Sequence, residues 1–171
     1  MPKLEMMEES VRKMMLAFPC IEPEDTPWTT LQKPLSEARV ALVTTAGLHV
    51  RGDKPFVQDR GMPRSGGDTS YRVIPRDTEP KNILQSHTSI AFDHTGIYRD
   101  INVTFPVDRL QEMLDRGEIG SLANNYYSFM GAIRDVDGII EESGPAVAAK
   151  LKEDNVDVVL LTPCLLYTSD A

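Results

Sequence analysis

The sequence predicts an α/β fold built on a mostly parallel sheet, and three observations lead there. Residues 39–45, RVALVTT, form a continuous apolar, β-branched run followed by Ala46-Gly47, the pattern of a strand buried on both faces. Residues 156–161, VDVVLL, form a second such run. Between them lie segments of helical periodicity, and strands alternating with helices place a parallel sheet between helical layers.

Each element follows in order. Leu4, Met7, Val11, Met14, Met15 and Phe18 recur at helical spacing among Glu and Lys, predicting an amphipathic helix over 4–18. The next stretch, 18–34, carries Pro19, Pro23, Pro27 and Pro34 and reads as an extended connector, with Trp28 pinned to the core. After the first strand, 48–78 is rich in Gly, Pro, Asp and Arg and predicts a long loop crossed by one strand near 71–74. Pro106 opens a helix carrying Leu110, Met113 and Leu114 on one face, and Gly117 closes it. A short strand and turn follow at 121–129, then a helix from Ser143-Gly144-Pro145 with Val147, Ala148 and Leu151 inward. The implied architecture is Rossmann/flavodoxin-like, with a helix and Pro-rich connector over 1–36 and the α/β domain over 37–163.

Composition excludes several classes. The chain of 171 residues has 18 Lys and Arg against 26 Asp and Glu, a net charge of −8, and no basic run longer than two residues. Neither nucleic acid nor an anionic membrane surface suits such a partner. No apolar stretch approaches the roughly 20 residues of a spanning helix. The Glu-rich N-terminus has no signal-peptide core, and Cys20 and Cys164 make no disulfide framework, so the cytoplasm is expected. There is no GxGxxG, no P-loop and no CxxC.

Parallel sheets bind ligands at the carboxyl ends of their strands. Here those ends carry Thr44-Thr45-Ala46-Gly47-Leu48-His49 and Thr162-Pro163-Cys164, and His49, Arg51 and Asp53 follow the first strand in HVRGDKPF. The segment GGDTSYR adds Asp68, Ser70 and Arg72, and HTSIAFDHTGIYRDIN adds His87, Asp93, His94, Arg99, Asp100 and Asn102. Guanidinium forks in Gly-containing loops suit a carboxylate, which makes Arg51 and Arg72 candidates for it; plain surface turns explain the same residues. Arg99 and Asp100 read as an ion-paired scaffold. The His and Asp spacing matches no metal set, and no metal is expected. Cys164 follows a strand where a redox nucleophile would sit, although a lone Cys is ordinarily inert.

Taken together, ARVALVTTAGLHVRGDKPF, GDTSYRVIPRD, SHTSIAFDHTGIYRDINVTFPVDRLQEML, ANNYYSFMG and KEDNVDVVLLTP resemble the glycine/sarcosine/betaine/D-proline reductase family, selenoprotein B subunit. The compact layout is most similar to the smaller D-proline-reductase-type subunit. The resemblance implies an oxidoreductase that cleaves the Cα–N bond of an amino acid with a dithiol as electron donor. It implies a selenocysteine or cysteine at or next to Cys164, and substrate contacts from His49, Arg51, Asp68, Ser70, Arg72, His87, Arg99 and Asp100. It also implies a companion subunit bearing a pyruvoyl group, a thiol electron-donor protein, and no cofactor in this chain. Residues 164–171, CLLYTSDA, match no continuation of that family and read as translated library adapter. The expectation is therefore a fold incomplete at its C-terminus, a chain truncated before its nucleophile, and no activity by itself. The alternative is a non-catalytic α/β module that binds a small carboxylate.

Overall fold

The computed structural model describes residues 4–17, 29–56, 67–87, 94–133 and 135–163. They fall into two compact units, Met1–Thr30 and Leu31–Ala171. In the first, the predicted helix is broken. A 3₁₀ turn, Leu4–Met6, precedes helix α1, Glu9–Leu16, because Glu8 is extended at φ −57° and ψ 142°. Glu9 and Lys13 pair across one turn of α1 at 2.8 Å. Cys20 and Trp28 lie outside the described residues.

The second unit is α/β, with a mixed, mostly parallel sheet. Strand β1, Arg39–Thr44, is central. On one side it pairs in parallel with β5, Ser121–Leu122, and β6, Asn125–Phe129, which succeed each other along it. On the other side β7, Val158–Thr162, runs parallel from Val40↔Val158 to Thr44↔Thr162. Strand β3, Tyr71–Pro75, adds antiparallel to β6. Helices α2, His94–Arg99, α3, Val107–Asp115, and α4, Gly144–Glu153, complete the unit.

Alternation along β1 divides the core between two faces. Val40 and Leu42 pack with Phe105, Tyr126 and Leu110 of α3, and the Phe105 and Tyr126 rings meet edge to face at 5.7 Å. Val43 packs with Tyr127, Phe129 and Val147 of α4. Ala148 is exposed rather than inward. Gly117, at φ +70°, ends α3 as expected, with its N–H donating to Leu114 O and that of Glu118 to Met113 O.

Three expectations change. Residues 48–78 contain two strands among those described, since β2, Leu48–Val50, precedes β3 and pairs antiparallel with β4, Ile83–Gln85. The polar stretch after His87 contains α2. The strand near 156–161 starts at Val158 and is not buried: Leu161 is 69% exposed, because β7 pairs with β1 alone among the described strands.

A polar cluster ties the amino ends together. Asp154, just past α4, accepts from Arg39 Nη2 at 2.7 Å, from Asn124 N at 2.6 Å and from Asn124 Nδ2 at 2.7 Å. Burial opposes its ionisation, yet the Asn124 bonds and the Arg39 charge together hold its carboxyl below the usual aspartate value. Asp154→Ala strands a half-buried guanidinium and a backbone N–H, at an expected cost of about 2 kcal/mol. Urea denaturation checks this, and a loss under half that size would show that water replaces the carboxylate. Among the described residues no helix is long and apolar enough to cross a membrane.

Candidate functional site

Hydroxyls rather than charges shape the floor at the carboxyl ends of β1 and β7. Thr44 is fully buried and donates to Thr104 O at 2.9 Å, and Thr162 donates to the same carbonyl at 2.9 Å. Thr45 N donates to Thr162 O at 3.1 Å. One buried carbonyl thus clamps the turn after α2 to two strand ends and holds Thr162 in the floor. Sequence reasoning placed Thr44 at the strand end but missed Thr104, since a threonine looks the same whether its carbonyl clamps two strands or it merely favours the extended backbone.

The chain then turns at Gly47, whose φ of +66° and close neighbours require glycine. A Cβ there would lie 3.2 Å from His87 N. Gly47 N donates to Phe129 O at 2.9 Å and its carbonyl accepts from Ser86 N at 2.8 Å, which binds β1, β6 and the end of β4 together.

Three imidazoles stand on this floor. His49, on β2, is 6% exposed and its Nδ1 lies 3.0 Å from Ser86 Oγ. Burial and then the Arg72 charge push its pKa down, partly opposed by Asp53. His87 is 4% exposed. Burial first, and the neighbouring His94 second, push it down to about 4, so it is neutral at pH 7. His94, which starts α2, is exposed, and its Nδ1 sits 2.7 Å from Gln85 Oε1. The amide of Gln85 in turn donates to Ala46 O at 3.3 Å. Its role had no sequence signal, because only the β2–β4 pairing brings Gln85 beside Leu48.

Arg72 is committed to structure. Its guanidinium donates to Lys54 O at 2.7 Å, Pro55 O at 3.1 Å, Ser70 Oγ at 2.8 Å and Tyr71 O at 2.9 Å, and lies 4.2 Å over the Phe56 ring. Asp68 completes the knot, accepting from Ser70 N at 3.0 Å and approaching Arg72 Nη2 at 3.5 Å. The knot fastens the loop after β2 to the start of β3.

Because β3 is antiparallel to β6, that start also lies at the carboxyl edge. Thr69, Ser70 and Tyr71 line a cavity of about 310 Å³ with Gly138, Glu142, Ser143 and Ala146. Ile139–Ser143 forms a π-helical turn leading into α4, a distortion frequent at functional sites. Ser143 Oγ donates to Thr69 O at 2.6 Å, closing the cavity's base.

Of the anticipated residues, the fold gathers His49, Asp68, Ser70, Arg72 and His87 on the carboxyl side. Arg51 is exposed at the far end of the β2–β4 pair, where its Nη2 donates to Lys81 O at 3.2 Å. Arg99 and Asp100 lie at the opposite end of α2 from His94. Asp100 caps the following 3₁₀ turn by accepting from Asn102 N at 2.9 Å, so Asn102, not Arg99, holds its carboxylate. Hydrogen bonds from Asn102 lower the Asp100 pKa. Cys164 and Asp93 lie outside the described residues.

Comparison with known proteins places the chain. It is 40% identical over 135 residues to the D-proline reductase subunit gamma of Acetoanaerobium sticklandii, a match covering 79% of this chain and 52% of that protein. It is 32% identical over 130 residues to the glycine reductase complex component B subunit gamma of Carboxydothermus hydrogenoformans, covering 76% of this chain and 29% of that one. The sarcosine reductase complex component B subunit beta of Peptoclostridium acidaminophilum is 32% identical over 132 residues, with the same coverage of 76% and 29%. The chain thus spans about half the length of the first relative and under a third of the others. No solved structure matches. The family model for glycine/sarcosine/betaine reductase selenoprotein B matches residues 14–164, a span that includes every element from β1 to β7, and the chain belongs to that family.

Proposed function

We propose that the chain is part of a reductase subunit of the D-proline type, acting on the Cα–N bond of a small amino acid, with the carboxyl edge of its sheet as the substrate side. The observation that carries this reading is the likeness to D-proline reductase subunit gamma, extending over 79% of the chain. In the reaction a dithiol gives two electrons and two protons and becomes a disulfide, while the broken Cα–N bond becomes C–H and N–H. The nucleophile is a selenol or thiol at or next to Cys164. A companion subunit with a pyruvoyl carbonyl serves as electron sink for the substrate nitrogen, and a thiol protein regenerates the nucleophile. His49, Ser70 and His87 belong to the substrate side; Asp68 and Arg72 shape it.

Ring opening of D-proline converts a secondary amine to a primary one, which gives the assay. The chain is incubated with the companion subunit, dithiothreitol and D-proline, beside a version continued from Pro163 by the native gene. Primary amine is expected from the continued version alone, in step with dithiol oxidation. Substrate binding without primary amine from either version would favour a non-catalytic carboxylate-binding module.

A further inference from the structure

We propose that the outer edge of β7 is an internal seam of the full-length subunit, closed by the stretch of its own polypeptide that follows Pro163: a helix laid beside α4 over Leu161, then a strand parallel to β7. The seam holds whichever reaction the subunit carries out.

The two edges of the sheet differ in kind. Strand β3 closes one side, and its YRVIP carries Arg72 and Pro75, a charge and a missing N–H of the sort that keep an edge from pairing further. Strand β7 closes the other side among the described strands, and its VVLLT has neither charge nor proline. It pairs with β1 in unbroken register from Val40↔Val158 to Thr44↔Thr162, with no bulge to turn the edge away. A continuous apolar run is the composition of a parallel strand flanked on both sides. Leu160 and Leu161 point to opposite faces, yet 39% and 69% of their surfaces are exposed.

Chain topology selects the face. Strand β1 leads to β6 through α3, which packs on the Val40 and Leu42 face, and β6 leads to β7 through α4, which packs on the Val43 face. The first step moves toward β3 and the second moves back past β1, so reversing direction changes face, as one handedness of crossover requires. A further parallel strand beyond β7 continues the second step, which puts its crossover helix on the face of α4. Leu161 stands beside Val43 in register and so lies on that face, and it is the more exposed of the two leucines.

The subunit's own chain is the occupant that the lengths favour. The match to D-proline reductase subunit gamma covers 52% of that protein, so nearly half of its length packs outside the matched span. A segment that follows Pro163 starts two residues from Leu161 and closes a short loop, whereas a second copy or a companion subunit must surrender its translational freedom.

The test compares the 171-residue chain with the subunit continued from Pro163 by the native gene, each carrying Leu161→Cys. Maleimide labelling, read by mass spectrometry of the peptide that holds residue 161, is expected to be at least tenfold slower in the continued subunit. Equal rates overturn the seam. Protection that is lost on dilution to nanomolar protein assigns the edge to a second copy, and protection that appears only with the companion subunit assigns it to that partner; either overturns the proposal. In the continued subunit alone, methyl NOEs should join Leu161 and Val147 to the first helix after Pro163, and amide exchange across 158–162 should be slow. A helix in contact with Leu160 instead, fast exchange along β7, or a native gene without such a segment overturns it as well.

Discussion

Lowering the pH from 7 to 4 is expected to remove about 3 kcal/mol of folding stability through His87 alone. Burial, with the neighbouring His94 behind it, pushes this imidazole from 6.5 down to about 4, and at 4% exposure solvent does little to relieve it. In the unfolded chain the same side chain takes up its proton near pH 6.5, so between there and pH 4 the unfolded state binds more protons and stability falls with falling pH. The loss is complete only near the folded value. His49 is lowered by burial as well and acts in the same direction. Urea midpoints measured between pH 7 and pH 4 should fall steeply for the wild type and less for His87→Gln. His94→Gln, which removes the second cause, should also flatten the curve. Equal slopes for wild type and His87→Gln would show that His87 is solvated and that the floor is not closed over it.

The second large effect is steric. Gly120 leads into β5 where its N–H and that of Ser121 both donate to Ala38 O, at 3.0 and 3.1 Å. A Cβ on Gly120 would lie 2.4 Å from Glu37 C and 2.7 Å from Glu37 O, both backbone atoms that cannot swing aside. Gly120→Ala must therefore part the two segments and strain the β1–β5 pairing, an expected loss of about 3 kcal/mol. Gly96, inside α2, is the contrast. Among the described residues its Cβ would meet only Val103 Cγ1 at 4.0 Å, so Gly96→Ala should leave stability unchanged or raise it by up to about 1 kcal/mol. Thermal denaturation of the two variants side by side checks both signs; a stable Gly120→Ala would mean that the Glu37 segment is free to move.

Much of the site's location was readable early, while its chemistry was not. A β-branched run ending in Thr-Ala-Gly announces a strand end, and the motifs after it announced His49 and His87. What Arg72 does was hidden, since its partners Lys54 O and Pro55 O are backbone atoms that no residue pattern advertises. Gln85 was hidden for a related reason: a three-residue strand is too short for alternation to declare it, so its pairing with Leu48 is a product of the fold. Helix α2 escaped because six residues bearing one buried side chain, Ile97, carry almost no amphipathic signal.

By itself the sequence determined the class of fold, the direction of β1 and β7 and the family, because continuous apolar runs and motif order are local properties that survive without coordinates. Tertiary structure alone decided which surfaces of those elements meet. Strand β7 reads as buried from its composition, yet Leu161 is 69% exposed, because burial depends on whether a neighbour lies beside a strand and not on how apolar the strand is. The same holds at the site: an imidazole's charge is set by how much water and which charges surround it, and only the closing of β2, β4 and α2 over the end of β1 settles that for His49 and His87.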